Sequence, residues 1–172
     1  LLRGLELEVA KARAPEDEGA RRAWGRTGAG CTLGLFGLVT LAALVASFLV
    51  AEPWQRQLLW AVAAGLFLER LWFFALAYLR AAGSLQQFAL LELAQALGQI
   101  VLTLGLAALF GLGGAFAGFA LANLMALALV HRRVPFRPAL QLDRLRAMLA
   151  IGVPLSITQL LSAMLATVDR LV

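Results

Sequence analysis

The sequence is poor in the residues that most often build metal centres, disulfides and hydrolytic sites. It contains one cysteine, Cys31, so no intrachain disulfide can form. It also contains one histidine, His131, so zinc sites with the usual ligand count are excluded. A Ser-His-Asp triad would have to use His131, and no neighbouring residue supports one. We therefore expect no metal, no cofactor and no catalytic residue.

Charged residues are also scarce, at 15% of the 172 residues. They concentrate in residues 1–26 and 131–146, and only six lie between these regions. No basic run carries the interleaved, exposed aromatic residues of a nucleic-acid interface, so the net charge of +5 does not indicate nucleic acid as a partner.

Hydrophobic residues, in contrast, make up 62% of the chain, and the mean hydropathy is +0.84. Soluble domains contain only about 45–50% apolar residues. A helix of about 20 apolar residues crosses the bilayer core. The composition therefore predicts an all-α, polytopic bundle with membrane helices at 31–51, 57–79, 86–110, 114–130 and 147–168.

Two adjacent charges interrupt the second of these helices at its middle, Glu69 and Arg70. Each charge at the bilayer centre costs at least about 2.5–3.5 kcal/mol, so it normally faces a partner or a water-filled cavity. Adjacent helix residues point about 100° apart, so these two side chains cannot simply face each other. We expect Arg70 to face the bundle interior, within reach of Glu92 or of a cavity.

The third helix carries a polar stripe, Glu92, Gln95, Gln99 and Thr103, whose spacing places it on one helical face. Such a stripe faces either a water path or a neighbouring helix to which it hydrogen-bonds. The sequence leaves both interpretations open. In the first, Gln95 and Gln99 are candidates for binding a substrate.

Small residues mark turns and close helix contacts. A tight glycine turn lies at 111–114, and Gly114, Gly118 and Ala122 form a ridge that favours close packing. The two glycines are therefore assigned a structural role.

The last helix has its own set of small and polar residues. Gly152 and Pro154 predict a kink near its start. Gln159 lies on a polar or small face and is a further candidate for substrate binding, while Asp169 continues roughly the same side.

The basic residues indicate how the helices are oriented. Residues 1–30, 80–86 and 131–146 together hold twelve Lys or Arg, whereas the opposite side holds two, Arg56 and Arg170. Because loops rich in Lys and Arg stay in the cytoplasm, we expect the three ranges to be cytoplasmic.

Four regions follow from these patterns. They are a cytoplasmic connector at 1–30, four membrane helices at 31–130, a basic cytoplasmic loop with an amphipathic segment at 131–146, and a further helix at 147–172. The chain begins with Leu1 and shows no signal-peptide pattern, so we expect a fragment of a longer protein with further helices at both ends.

Short motifs recur at the ends of the predicted helices. They are an Arg-Ala-x-Gly turn, a Gly-x-x-Gly turn, a Gly-x-Pro opening and an Asp-Arg closing, at Arg80–Gly83, Gly111–Gly114, Gly152–Pro154 and Asp169–Arg170. In their order, and in the charge of the loops, they resemble the polysaccharide biosynthesis flippases, including the O-antigen type. These belong to the multidrug/oligosaccharidyl-lipid/polysaccharide exporter superfamily. The resemblance covers nearly the whole chain, as the third to seventh helices of that fold.

The resemblance implies a two-lobed exporter fold, of which this chain is part of the first lobe plus the first helix of the second. It implies a bacterial, multi-pass inner-membrane or plasma-membrane protein that moves polyprenyl-pyrophosphate-linked oligosaccharide between leaflets by alternating access. Its product would be a cell-surface polysaccharide such as the O-antigen of lipopolysaccharide. The family pattern does not include Glu69 or Arg70.

On this reading Arg70 is the one basic residue at mid-depth that suits a pyrophosphate. Glu69, Glu92 and Asp169 are candidates for coupling to protons or sodium, or for charge pairs. A lipid II flippase and a cation-coupled drug or metabolite antiporter of the same superfamily remain alternatives. A membrane-embedded glycan polymerase is a further alternative, although its usual large catalytic loop is missing. We expect a transporter and not an enzyme.

Overall fold

The computed structural model describes residues 9, 18–50, 52–139 and 141–168. These residues form helices joined by short turns, and the described part of the chain contains no strand. The prediction of an all-α fold is therefore confirmed. The helices are α1 (Glu18–Ser47), α2 (Pro53–Ala81), α3 (Leu85–Val130) and α4 (Leu142–Val168).

Three of the helices, α1, α2 and α3, are long and apolar enough to span a membrane. The third is 46 residues long because it consists of two helical halves joined at Gly111. Gly111 has φ 64° and ψ −145°, a backbone conformation that is essentially restricted to glycine. The chain reverses there, so the helices predicted at 86–110 and 114–130 are the two arms of one hairpin.

Glycine allows the two arms of α3 to pack closely. A Cβ atom at Gly114 would collide with the backbone carbonyl of Leu106, and one at Gly118 would collide with that of Leu102. Backbones approach this closely only where side chains are minimal, which is the usual role of small residues between membrane helices. Ala122 continues the same contact and is 3% exposed.

Helix α2 packs against the second arm of the α3 hairpin on one side and against α1 on another. At Gly65, the space for a Cβ is occupied by the ring of Phe119, whose nearest carbon would be 2.8 Å away. The core lies toward the C-terminal half of α2, where Trp72 and Phe74 are almost completely buried. Their neighbours in this core include Ala126 of the second arm.

Helix α1 differs from the prediction at both ends. The helix expected at 31–51 begins at Glu18 and ends at Ser47. Residues 18–30, expected to be a connector, are therefore helical. The physical reason is tertiary contact: at Gly25 the side chains of Tyr78 and Pro135 occupy the space of a Cβ, so this turn of α1 is packed between α2 and the loop after α3.

Helix α4 begins at Leu142, so the amphipathic segment and the last predicted helix are continuous. It packs against α1: the Arg144 guanidinium lies 5.5 Å from the ring centre of Trp24, and Met148 is fully buried. Pro154 lies inside the helix, and the Thr158 hydroxyl donates a 3.0 Å hydrogen bond to the backbone carbonyl of Pro154.

Candidate functional site

Arg70 lies deep within α2, about 16 Å from the Ala81 end at 1.5 Å per residue. Its side chain is exposed on the surface of the bundle. The guanidinium carbon lies 5.6 Å from the ring centre of Phe36 on α1 and 5.8 Å from that of Phe73 on α2. Both distances are within the range of cation–π attraction, so two aromatic faces hold the arginine in place.

We expected Arg70 to lie within reach of either Glu92 or a cavity between lobes. The structure does not show the pairing with Glu92, and the cavity between lobes stays a prediction. No carboxylate among the described residues lies within salt-bridge distance of Arg70, and Glu92 is exposed on α3. The helical phase explains the difference. Gly65 faces the α3 hairpin, and five residues further on the helix has turned by about 140°, so Arg70 points toward α1.

Glu69 is half-buried and forms no ion pair within the described part of the chain. Its role in ion coupling stays a prediction.

A second group of polar side chains lies inside the α3 hairpin. The Gln95 amide donates to the Gln99 side-chain oxygen at 3.1 Å and to the Asn123 side-chain oxygen at 3.2 Å. The Asn123 amide in turn donates to the Phe119 backbone carbonyl at 3.0 Å. The predicted pair Gln95 and Gln99 is therefore brought together, and its partner on the second arm is Asn123.

These hydrogen bonds favour the interhelical interpretation of the polar stripe, because they tie one arm of the hairpin to the other. Asn123 is 0% exposed, so its amide depends on this network for its hydrogen bonds. Sequence reasoning did not single out Asn123. The signal was available, since Asn123 is the one polar side chain between Gly118 and Val130.

Thr103, the last residue of the stripe, is in a different environment. Its hydroxyl oxygen is buried and has no hydrogen-bond partner among the described residues. It lines a cavity of about 260 Å³ whose other walls are apolar. The remaining lining residues are Val62, Leu66, Ala115, Phe116 and Phe119.

The remaining predicted residues lie on or beyond α4. The side chain of Gln159 and the whole of Asp169 lie outside the described residues, so their predicted roles stay predictions. Gly152 is buried, and Pro154 is exposed. The structure thus brings together the hairpin amides, and it places Arg70 on a separate face with its aromatic partners.

The long apolar helices, with an arginine deep inside one of them, define this chain as a multi-pass membrane protein. A family model described as polysaccharide biosynthesis protein matches residues 4–172. The chain therefore belongs to the polysaccharide biosynthesis protein family, and its role is in polysaccharide biosynthesis. No curated protein matches the chain, and no solved structure matches it.

Proposed function

We propose that this protein is a flippase for polysaccharide biosynthesis. It moves an oligosaccharide linked to polyprenyl pyrophosphate from the cytoplasmic to the outer leaflet of a bacterial plasma membrane, by alternating access. The family match supports the pathway. The membrane-spanning helices support a step that takes place within the bilayer.

The observation that carries the proposal is the environment of Arg70. Its guanidinium is exposed on the bundle surface at mid-membrane depth, between the rings of Phe36 and Phe73, with no carboxylate partner among the described residues. Lipid does not solvate an exposed cation, so this face requires a polar, water-filled path or an anionic ligand. A pyrophosphate passing between leaflets meets that requirement, and a guanidinium binds phosphate in a bidentate manner.

The alternatives are distinguished by the same side chain. A lipid II flippase would use Arg70 in the same way, since its substrate also carries a pyrophosphate. A carrier of cationic drugs would be opposed by an unpaired arginine on its path, because like charges repel. A glycan polymerase needs room for catalytic groups outside the membrane. The links opposite the basic loops, between Ser47 and Pro53 and at Gly111, are short.

Coupling to protons or sodium is part of the proposal. Glu69 and Glu92 are the acidic residues of α2 and α3 that lie deep within the helices. Neither forms an ion pair with a described residue, so each carboxylate remains able to exchange a cation.

The proposal is tested by export in cells whose own copy of the gene is deleted. Arg70→Met should leave the protein in the membrane at normal levels and abolish surface glycan, with lipid-linked oligosaccharide accumulating inside. Arg70→Lys should retain partial export, because it keeps the charge and loses the bidentate geometry. Adding Glu92→Leu to Arg70→Met should not restore export, since the two residues are not paired.

Arg56 provides a matched control on the same helix. Its guanidinium lies 5.7 Å from the ring centre of Phe48, but it is at the membrane edge and donates to the Val50 carbonyl. Arg56→Met should therefore export normally. Equal export by Arg70→Met and the wild type would refute the role of Arg70 in transport.

A further inference from the structure

A basic pocket lies where the start of α1, the end of α2, the start of α3 and the turn after α3 meet. We call it the arginine pocket, and its volume is about 510 Å³, within the range of ligand sites. It is separate from both Arg70 and the hairpin amides. Its lining residues are Glu18, Arg21, Arg22, Tyr78, Leu79, Ala82, Ser84, Gln87, Arg132 and Arg133.

Four arginines and only one carboxylate line this pocket. The carboxylate, Glu18, is already bound to Arg22 at 2.7 Å. Arg133 donates to the side-chain oxygen of Gln87, also at 2.7 Å, so its charge is not neutralised. Arg132 has neither an ion pair nor a hydrogen bond to a described residue. The pocket therefore concentrates positive charge that the protein itself does not balance.

The start of α3 adds to this positive potential. Ser84 is the N-cap residue of the helix, but its side chain makes no capping hydrogen bond, so the first-turn amide groups are not capped by it. Both Ser84 and Gln87 line the pocket. Free amide groups at the positive end of a helix dipole bind phosphate groups, and here arginines from two other segments surround them.

The sequence predicts that the pocket lies near the membrane surface. Its arginines belong to two of the three ranges whose basic residues predict a cytoplasmic location, 1–30 and 131–146. Tyr78 and Leu79 end the apolar part of α2 and form its membrane-side wall, where Tyr78 is 5% exposed. The arginines suit the anionic group of a ligand, while Tyr78 and Leu79 are almost completely buried, so an apolar tail would lie in the adjoining bilayer and not in the pocket.

We infer that the arginine pocket binds the diphosphate group of a polyprenyl-linked sugar at the cytoplasmic surface, before the substrate reaches the depth of Arg70. This inference rests on the proposed function for the identity of the lipid. Two adjacent phosphates carry more negative charge and more acceptor oxygens than the single phosphodiester of an ordinary phospholipid, so they engage several guanidinium groups more strongly. The site acts in capture of the substrate and not in its passage.

The test is equilibrium binding of radiolabelled farnesyl diphosphate to the intact protein in nanodiscs of phosphatidylcholine. Arg132→Ala/Arg133→Ala should weaken binding about tenfold or more, since hydrogen bonds to charged groups contribute on that scale. Arg137→Ala/Arg146→Ala is the matched control, because it removes two exposed arginines of the same region that do not line the pocket. The control should bind within about twofold of the wild type, because distant surface charges are screened.

Competition identifies the ligand chemistry. Inorganic pyrophosphate should displace farnesyl diphosphate, whereas farnesol, which lacks phosphate, should not. Phosphatidylglycerol in the nanodisc should compete weakly. If phosphatidylglycerol competes as well as farnesyl diphosphate does, the pocket is a site for anionic phospholipid and the inference is wrong. If the pocket variant and the control lose binding equally, the binding reflects general surface charge, and the inference is also wrong.

The capture site is tested by binding and the flippase function by export, so the failure of one proposal can be told from the failure of the other. Unchanged binding in Arg132→Ala/Arg133→Ala, together with lost export in Arg70→Met, would refute the capture site and leave the flippase proposal standing. Arg21→Ala provides a second variant, because Arg21 approaches the pocket from α1 and interacts with Tyr78. Arg21→Ala should also weaken the binding of farnesyl diphosphate.

Discussion

A single methyl group at Gly118 is expected to force the two arms of the α3 hairpin apart. In Gly118→Ala the new Cβ would lie 2.6 Å from the carbonyl carbon of Leu102 and 2.7 Å from the Cα of Thr103. Ordinary contacts of a Cβ begin near 3.4 Å, so the arms must separate by most of an ångström. Both obstacles are backbone atoms, so no rotamer change relieves the collision.

The expected cost is that of an overpacked interface, about 1–3 kcal/mol. For a chain of about 150–250 residues, a loss of 1 kcal/mol lowers Tm by about 2–4 °C, so the shift for the present chain should be roughly 2–12 °C. Detergent-solubilised protein heated in steps and followed by size-exclusion chromatography measures this shift. Gly105→Ala is the control, because a Cβ at Gly105 meets nothing within 4 Å. If both variants melt at the wild-type temperature, the close packing of the hairpin is refuted.

Two further predictions concern the amide network and the orientation. Asn123→Leu should destabilise the protein by about 1–3 kcal/mol, because it leaves the Gln95 amide without its partner on the other arm. Adding Gln95→Leu should recover most of that loss, and a thermal melt that shows no recovery would contradict a purely interhelical role. In Cys31→Ser protein, a cysteine introduced at Gln55 should react with an impermeant maleimide from outside, and one at Ser84 should not. Labelling of Ser84→Cys from outside would reverse the predicted orientation.

The hairpin of α3 was predictable because its determinants are local. A glycine turn at 111–114 with small residues at every fourth position afterwards indicates a reversal followed by a close contact, and Gly111 and Gly118 occupy those places. The continuity of α1 from its first turns into the apolar helix was not predictable in this way. Its first turns are charged and contain Gly19 and Gly25, and they stay helical through contact with Tyr78 and Pro135, which are distant in sequence.

The direction of the Arg70 side chain also could not be predicted from the neighbouring sequence. Its depth follows from its place in an apolar segment, but its direction depends on which face of α2 packs against the hairpin. That choice is made at Gly65, which accepts the ring of Phe119 and so turns Arg70 toward Phe36. The arginine pocket was not predicted from the sequence for a similar reason. Arg21 and Arg132 are more than a hundred residues apart, and only the folded chain brings them together.

The central claim is that this protein translocates a lipid-linked oligosaccharide and that Arg70 acts in that passage. The most direct measurement reconstitutes purified protein into liposomes with a fluorescent oligosaccharide linked to polyprenyl pyrophosphate, and follows its appearance in the outer leaflet by quenching. Wild-type protein should accelerate the appearance well above empty liposomes. Arg70→Met should reduce it to the empty-liposome rate, while Arg56→Met should leave it unchanged. Wild-type protein that gives no acceleration, or Arg70→Met that matches the wild type, would contradict the account.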